Sequence, residues 1–218
     1  MLSDVREFRA RHLERHVGPR YNGWLHFAST SVGSLAAIAF AVSRVHAPTL
    51  GELAAIPIFF LIANLGEYFG HRGPMHHRRN GALAILFERH TQQHHRYYTH
   101  EAMAADSPRD FQMVLFPPVM LLFFLGFLAT PIGLVIGYLG TPNLGWLFAA
   151  TAVGYFLTYE WLHWSYHQPE ASWIGRNPLV QRLRRHHTIH HDLSRMTKEN
   201  FNITFPIADH IFGTSAKS

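Results

Sequence analysis

Histidine is the residue type most able to do chemistry here, and it is clustered. The chain has 18 histidines in 218 residues, and twelve fall in four groups: His71/His76/His77, His90/His94/His95, His163/His167 and His186/His187/His190/His191. Imidazole is the commonest protein metal ligand. A single ion seldom takes more than about four protein donors, so a dozen clustered histidines point to more than one ion. There is no cysteine, which removes disulfides, thiolate zinc sites and iron–sulfur clusters. Neutral nitrogen donors suit zinc, copper, iron and nickel. No His-Glu-x-x-His is present, and the single Glu-x-x-His, Glu160 to His163, falls short of the two such motifs and two further Glu of a carboxylate di-iron bundle.

Spacing says how these rings can meet. His90/His94, His163/His167 and His187/His191 are each four apart, which places each pair on one face of a helix. His190 follows His187 by three. Gly73-Pro74 ends the helix that carries His71, and the turn lets His76 double back toward it. One His-x-x-x-His is usually a surface coincidence; its repetition in several clusters suits a ligand cage built on rigid helices. Glu67 and Glu160 lie within four residues of a clustered histidine and are candidates to orient imidazoles. The plainer alternative is helix-end carboxylates facing water or arginine. His12, His16, His26 and His46 have no such setting and read as structural or surface residues.

The elements that must position the groups are long apolar stretches. Tyr21–Ser43 is 23 residues without Asp, Glu, Lys or Arg, roughly 35 Å as helix against about 30 Å of hydrocarbon. Residues 51–70 make a second span with Glu67 near its end. Phe111–Tyr159 has 49 residues without a formal charge, enough for two crossings at about 20 residues each. It breaks at Thr130-Pro131 or at Gly140-Thr141-Pro142-Asn143. A buried hairpin of a soluble protein seldom lacks charge over such lengths. The expected architecture is a single all-α membrane domain, 1–218, with about four spans (22–43, 51–70, 111–130, 143–163). Histidine-rich cytosolic segments, 71–110 and 164–214, form a helical cap.

Charge sets the expected topology. The formal net charge is +5, and 17 of the 19 basic residues are arginine. They concentrate in 6–20, 72–109 and 176–198, while the connectors at 44–52 and 130–143 carry almost none. The positive-inside rule then puts both termini and all four histidine groups on the cytoplasmic side. The first apolar segment is too long, and its basic lead too extended, for a cleavable signal peptide. The arginine bias is associated with GC-rich bacterial genomes, so a bacterial inner membrane is the expected location. Arg176, Arg182, Arg184 and Arg185 suit a solvated face, anionic lipid or an acidic protein partner. Nucleic acid is not expected.

Several segments together resemble the fatty acid hydroxylase superfamily, which includes sterol desaturases, sterol methyl oxidases and sphingolipid fatty-acid hydroxylases. They are Glu67–His76, Arg89–His95, Glu160–His167, His186–His191, Ser107–Pro118 and Asn200–Thr214. The second of these reads His-x-x-x-His-His, one residue longer before the pair than in many members. The resemblance covers about residues 60–214. It implies a four-helix membrane protein with a dinuclear site in a cytosolic cap, usually taken as di-iron. Carried over position by position, the ligands are His71, His76, His90, His94, His95, His163, His167, His187, His190 and His191. His77 and His186 fall outside the pattern. Around the ligands, Glu67, Glu160, His100, Asp192 and Asn200 are candidates for orienting groups. No catalytic residue beyond the ligands is expected.

The implied cofactors are two iron ions, with zinc or another transition metal able to occupy the site in purified protein. The implied activity is O2-dependent hydroxylation or desaturation of a lipid such as a fatty acyl chain or a sterol. The protein supplies position, electronics and exclusion of water. With no flavin or nicotinamide fingerprint and no haem domain, electrons must come from a separate donor: a b-type cytochrome, a ferredoxin or a reductase. Phe59-Phe60, Phe123-Phe124, Tyr155-Phe156, Tyr159, Trp161 and Trp164 are candidate channel residues, although lipid-facing bulk explains most of them more simply. Rival readings are an alkane or carotenoid hydroxylase, or a histidine-rich metal transporter. A transporter needs ligands near the bilayer midplane, whereas these groups lie beyond the span ends.

Overall fold

The computed structural model describes residues 2–217, and every regular element among them is helical. The chain opens with α1 (Leu2–His16), α2 (Gly23–Ser43) and α3 (Leu50–Gly70), and a π-helical turn, His71–Met75, extends α3. A second helical stretch comprises α4 (Ala84–Phe87), a π-helical turn at Glu88–His94 and α5 (His95–Tyr97). Then come α6 (Val119–Phe124), a π-helical turn at Leu125–Ala129, and α7 (Thr130–Leu139). The chain closes with α8 (Pro142–Tyr166), α9 (Pro178–His190) and the short α10 (Ile207–Ile211).

Three stretches are long and apolar enough to cross a membrane: Gly23–Ser43, Leu50–Met75 and Val119–Leu139. The third replaces the expected span at 111–130. Ser107 and Asp110 form a capping box that starts a separate 3-10 helix over Pro108–Met113, and Pro117-Pro118 prevents that helix from running on into the next. Of the two expected breaks, the chain turns at Gly140-Thr141. Pro131 stays within the continuous helix directly after the π-helical turn Leu125–Ala129, a local break in i to i+4 bonding that accommodates its missing N–H. The fourth expected crossing corresponds to α8, 25 residues long but diluted by Asn143, Thr151, Thr158 and Glu160, and composition alone does not place it with the other three. Its Thr151 and Thr158 hydroxyls fold back onto Leu147 and Gly154 carbonyls at 2.7 and 2.8 Å, which hides their polarity.

The residues divide into two compact units. One holds residues 24–63 and 116–160; the other holds the N-terminal residues through Gly23, Asn64–Leu115 and the chain from Trp161 onward. In the apolar unit, α7 meets α8 backbone to backbone. A Cβ added to Gly145 would lie 2.4 Å from the Gly133 carbonyl oxygen, a close approach that small residues permit. The connectors of that unit are tied together by Glu52, which accepts from the Thr141 hydroxyl at 2.5 Å, the Thr49 N–H at 2.7 Å and Asn143 Nδ2 at 3.3 Å. Phe116 stacks on Phe156 and Tyr159, and Phe124 stacks on Phe156. The candidate channel residues Phe124, Phe156 and Tyr159 are therefore packed together with Phe116, while Phe123 and Trp161 are exposed.

In the histidine-bearing unit, the C-terminal segment has little regular structure and is held by side chains instead. Asn64 receives the Ala208 N–H at 3.1 Å and donates to the Phe205 carbonyl at 2.9 Å. Glu67 accepts from the Ile203 and Thr204 N–H groups and from the Thr204 hydroxyl. Asp209, fully buried, accepts from the Phe201 and Asn202 N–H groups, the Thr214 hydroxyl and the His186 ring. Asn200 takes a positive φ of 58°, a conformation asparagine tolerates, and donates to the His186 carbonyl at 2.9 Å.

Burial alone would raise the Asp209 pKa, but hydrogen bonds from His186, Thr214, Asn202 and Phe201 outweigh it and hold the carboxyl at about 2. A carboxyl depressed in the folded state stabilises above its ordinary pKa and loses that contribution as pH falls through the folded value. Replacing Asp209 with Asn is expected to destabilise the protein by roughly 2 kcal/mol near neutrality. In thermal melts of detergent-solubilised protein, the gap between wild type and variant should narrow as pH falls from about 4 toward 2. A variant as stable as wild type at neutral pH would refute this role for Asp209.

Candidate metal centre

The ten histidines expected as ligands are brought together and all are buried, in two groups of five. One group is His71, His76, His90, His95 and His190; the other is His94, His163, His167, His187 and His191. Within each group the candidate ligand nitrogens all lie within 4.8 Å of one another. Among the described residues neither group includes a carboxylate.

Which nitrogen faces inward follows from the hydrogen bonds. Nδ1 of His94, His167, His190 and His191 faces the carbonyl oxygens of Met113, Met103, Glu199 and Tyr98 at 2.8, 2.8, 2.9 and 2.5 Å. Nδ1 of His71 faces the Phe201 carbonyl. A carbonyl can only accept, so each Nδ1 carries the proton and each Nε2 is left with a bare lone pair. His76 reaches the same state through Thr91. That hydroxyl donates to the Met75 carbonyl at 2.6 Å, leaving a lone pair for the His76 Nδ1–H at 3.2 Å.

The Nε2 atoms converge. His71 Nε2 lies 2.6 Å from His90 Nε2, and His76 Nε2 lies 2.9 Å from His190 Nε2. In the second group, His94 Nε2 is 3.2 Å from both His163 and His191 Nε2, and His187 Nε2 is 3.0 Å from His191 Nε2. Lone pairs of rings already protonated on Nδ1 cannot all hydrogen-bond to one another. Protonating them is opposed as well. Burial first, then the neighbouring imidazoles, push His76, His90, His95 and His187 well below the ordinary histidine value. Burial likewise holds His94 at about 4 despite the Met113 carbonyl. Neutral, inward-facing, desolvated nitrogens fit a soft or borderline transition-metal cation in each group.

The helices explain the partition, and one expectation changes. His163/His167 and His187/His191, four apart at the C-terminal ends of α8 and α9, share a group as their spacing predicts. His90 and His94 do not share one, because the turn that carries them is π-helical. Its i to i+5 pattern puts His90 with His95 instead, as the π-helical turn after α3 puts His71 with His76.

The residues expected to orient the rings are placed one step further back. Glu67 holds the segment whose Phe201 carbonyl faces His71, and Glu160 accepts from the Phe116 N–H. Asp192 caps a local turn through Ser194, and Asn200 spans the His186 carbonyl and the Ala216 N–H. The His100 side chain pairs with Glu101 at 4.0 Å, while its backbone N–H donates to the His191 carbonyl. His77 is exposed against the Arg72 carbonyl. Arg184, read from sequence as one of a basic run, is buried and donates to the Gln168 carbonyl at 2.9 Å. The carbonyls, Thr91 and Asp209 were not identified from sequence. Carbonyls have no residue signature; only the Asn200–Thr214 motif marked that part of the chain.

A family model described as fatty acid hydroxylase matches residues 56–214. Among solved structures, full-length scs7p, of which only the hydroxylase domain is visible, superposes with a TM-score of 0.60 at 20% identity. The match covers 90% of this chain and 67% of that one. A search of curated proteins found no match.

Thr91→Val keeps the shape of the side chain and removes the hydroxyl that faces His76 Nδ1. Loss of such an outer contact typically costs 10- to 100-fold in metal affinity, and a drop on that order is expected in competition titrations with a coloured chelator. Unchanged affinity would show that Thr91 does not set the His76 ring.

Proposed function

The chain belongs to the fatty acid hydroxylase family, and on that premise we propose that it is a membrane-bound non-haem di-iron oxygenase that uses O2 to hydroxylate a lipid acyl chain. The observation that carries this reading is the pair of buried, all-imidazole groups, five rings each, whose candidate ligand nitrogens lie within 4.8 Å of one another in each group. His71, His76, His90, His95 and His190 would hold one ion. His94, His163, His167, His187 and His191 would hold the other. Bound iron would supply the O2 chemistry that an unactivated C–H bond demands.

The protein's own part is positional and dielectric. Fixed Nδ1–H to carbonyl bonds lock ring orientation and tautomer, which raises ligand basicity. Complete burial keeps bulk water from the oxidising centre. The apolar helices supply a membrane in which a lipid substrate resides. On the arginine distribution, with α8 as the fourth crossing, both termini and the histidine segments lie on the cytoplasmic side, in a bacterial inner membrane. The reaction also needs electrons, which a b-type cytochrome, a ferredoxin or a reductase would supply. Hydroxylation is preferred to desaturation because the matching family model is a hydroxylase.

Lipids from cells expressing wild type should contain a species one oxygen heavier that is missing with His187→Ala. A species lighter by two hydrogens would assign desaturation instead. Purified protein without a bound transition metal under any growth condition would overturn the oxygenase reading altogether.

A further inference from the structure

Upstream of residue 56, where the family match begins, α1 sends one arginine into the interior. Arg9 is 7% exposed, although a buried guanidinium is costly unless its donors are satisfied. They are. Nε donates to the Tyr97 carbonyl at 2.8 Å, and Nη2 donates to the Ala102 carbonyl at 2.5 Å. Nη1 donates to the Ala104 carbonyl at 3.0 Å and pairs with the Asp106 carboxylate at 2.8 Å. The guanidinium carbon also lies 5.2 and 5.0 Å from the Tyr97 and Tyr98 ring centres.

The loop it grips, residues 97–106, is the one that sets two imidazoles of a single group. The Tyr98 carbonyl faces His191 Nδ1 and the Met103 carbonyl faces His167 Nδ1. The loop also holds the backbones of both residues, with the His100 N–H on the His191 carbonyl and the Ala105 N–H on the His167 carbonyl. Its carbonyls thus serve two masters. Those of Tyr97, Ala102 and Ala104 go to the guanidinium, and those of Tyr98 and Met103 go to imidazoles. The loop's far end is pinned by Asp110, which accepts from the Asp106 and Ser107 N–H groups. Between Tyr97 and Asp106, Arg9 bridges the stretch on either side of Met103.

We propose that Arg9 is a positioning residue for the metal group of His94, His163, His167, His187 and His191, acting through loop 97–106. In the other group, His71, His190 and His76 are set instead by the Phe201 and Glu199 carbonyls and Thr91. This rests on the reading of both groups as metal sites. A flexible lysine ammonium lacks the planar fork needed to reach these carbonyls together, so charge alone does not replace arginine here.

The test is iron content per chain and iron release to a chelator, measured on full-length protein in detergent for wild type, Arg9→Ala, Arg9→Lys and Arg6→Ala. Arg6 neighbours Arg9 without being part of the clamp and serves as the control. Wild type and Arg6→Ala should hold two ions that leave slowly. Both Arg9 variants should retain one slow ion, with the second released roughly 10- to 100-fold faster, as loss of an outer contact to a ligand predicts. Should Arg9→Ala fail to fold, Arg9→Lys carries the test. Two slow ions in the variants, or equal weakening of both, would overturn the proposal. Wild type without metal would instead overturn the reading it rests on.

Discussion

Everything in the histidine-bearing unit follows from one electrostatic constraint: uncharged ring nitrogens are aimed at one another in a dry interior. Left alone, such an arrangement is unfavourable, since lone pairs repel and desolvated polar atoms have no partner. It is tolerable only if each outward nitrogen has somewhere to put its proton. For six of the ten rings the structure meets this need with backbone carbonyls and one threonine hydroxyl. The irregular segments around 98–113 and 199–214 are therefore as much part of the centre as the helices that carry the rings. Regular helix would have spent those carbonyls on its own hydrogen bonds.

The same need explains where the polar side chains went. Asn64, Glu67 and Asp209 bond the backbone of the segment whose Phe201 carbonyl faces His71. Arg9 does the equivalent for the other irregular segment. Buried polar groups of this kind are costly when only partly satisfied and rigidifying when complete. In the apolar unit such groups are few, and hydroxyls such as Thr151 and Thr158 turn back on their own helix.

Much of this was legible in the sequence. The all-helical class, the apolar stretches and the gathering of ten histidines follow from composition, helical spacing and a family pattern that spans most of the chain. What stayed hidden was of two kinds. Helix register near His90 depends on a π-helical turn, and nothing in Glu88–His94 distinguishes i+4 from i+5 hydrogen bonding before the chain folds. Burial of Arg9 and Arg184 was equally hidden, because an arginine run looks the same whether it faces water or closes on carbonyls. The third apolar helix was displaced for a local reason, since Pro117-Pro118 outranked hydropathy in choosing where it starts.

The interleaving of the histidines along the chain has a further consequence. α9 and its C-terminal cap give His187 and His191 to one group and His190 to the other, and Glu88–Tyr97 gives His90 and His95 to one and His94 to the other. No contiguous piece of sequence encodes a single group, so neither can be grafted, duplicated or deleted as a module. A one-residue insertion in either stretch would scramble both at once. The two groups form one indivisible inheritance, and drift in this region is confined to substitutions that leave the spacing intact.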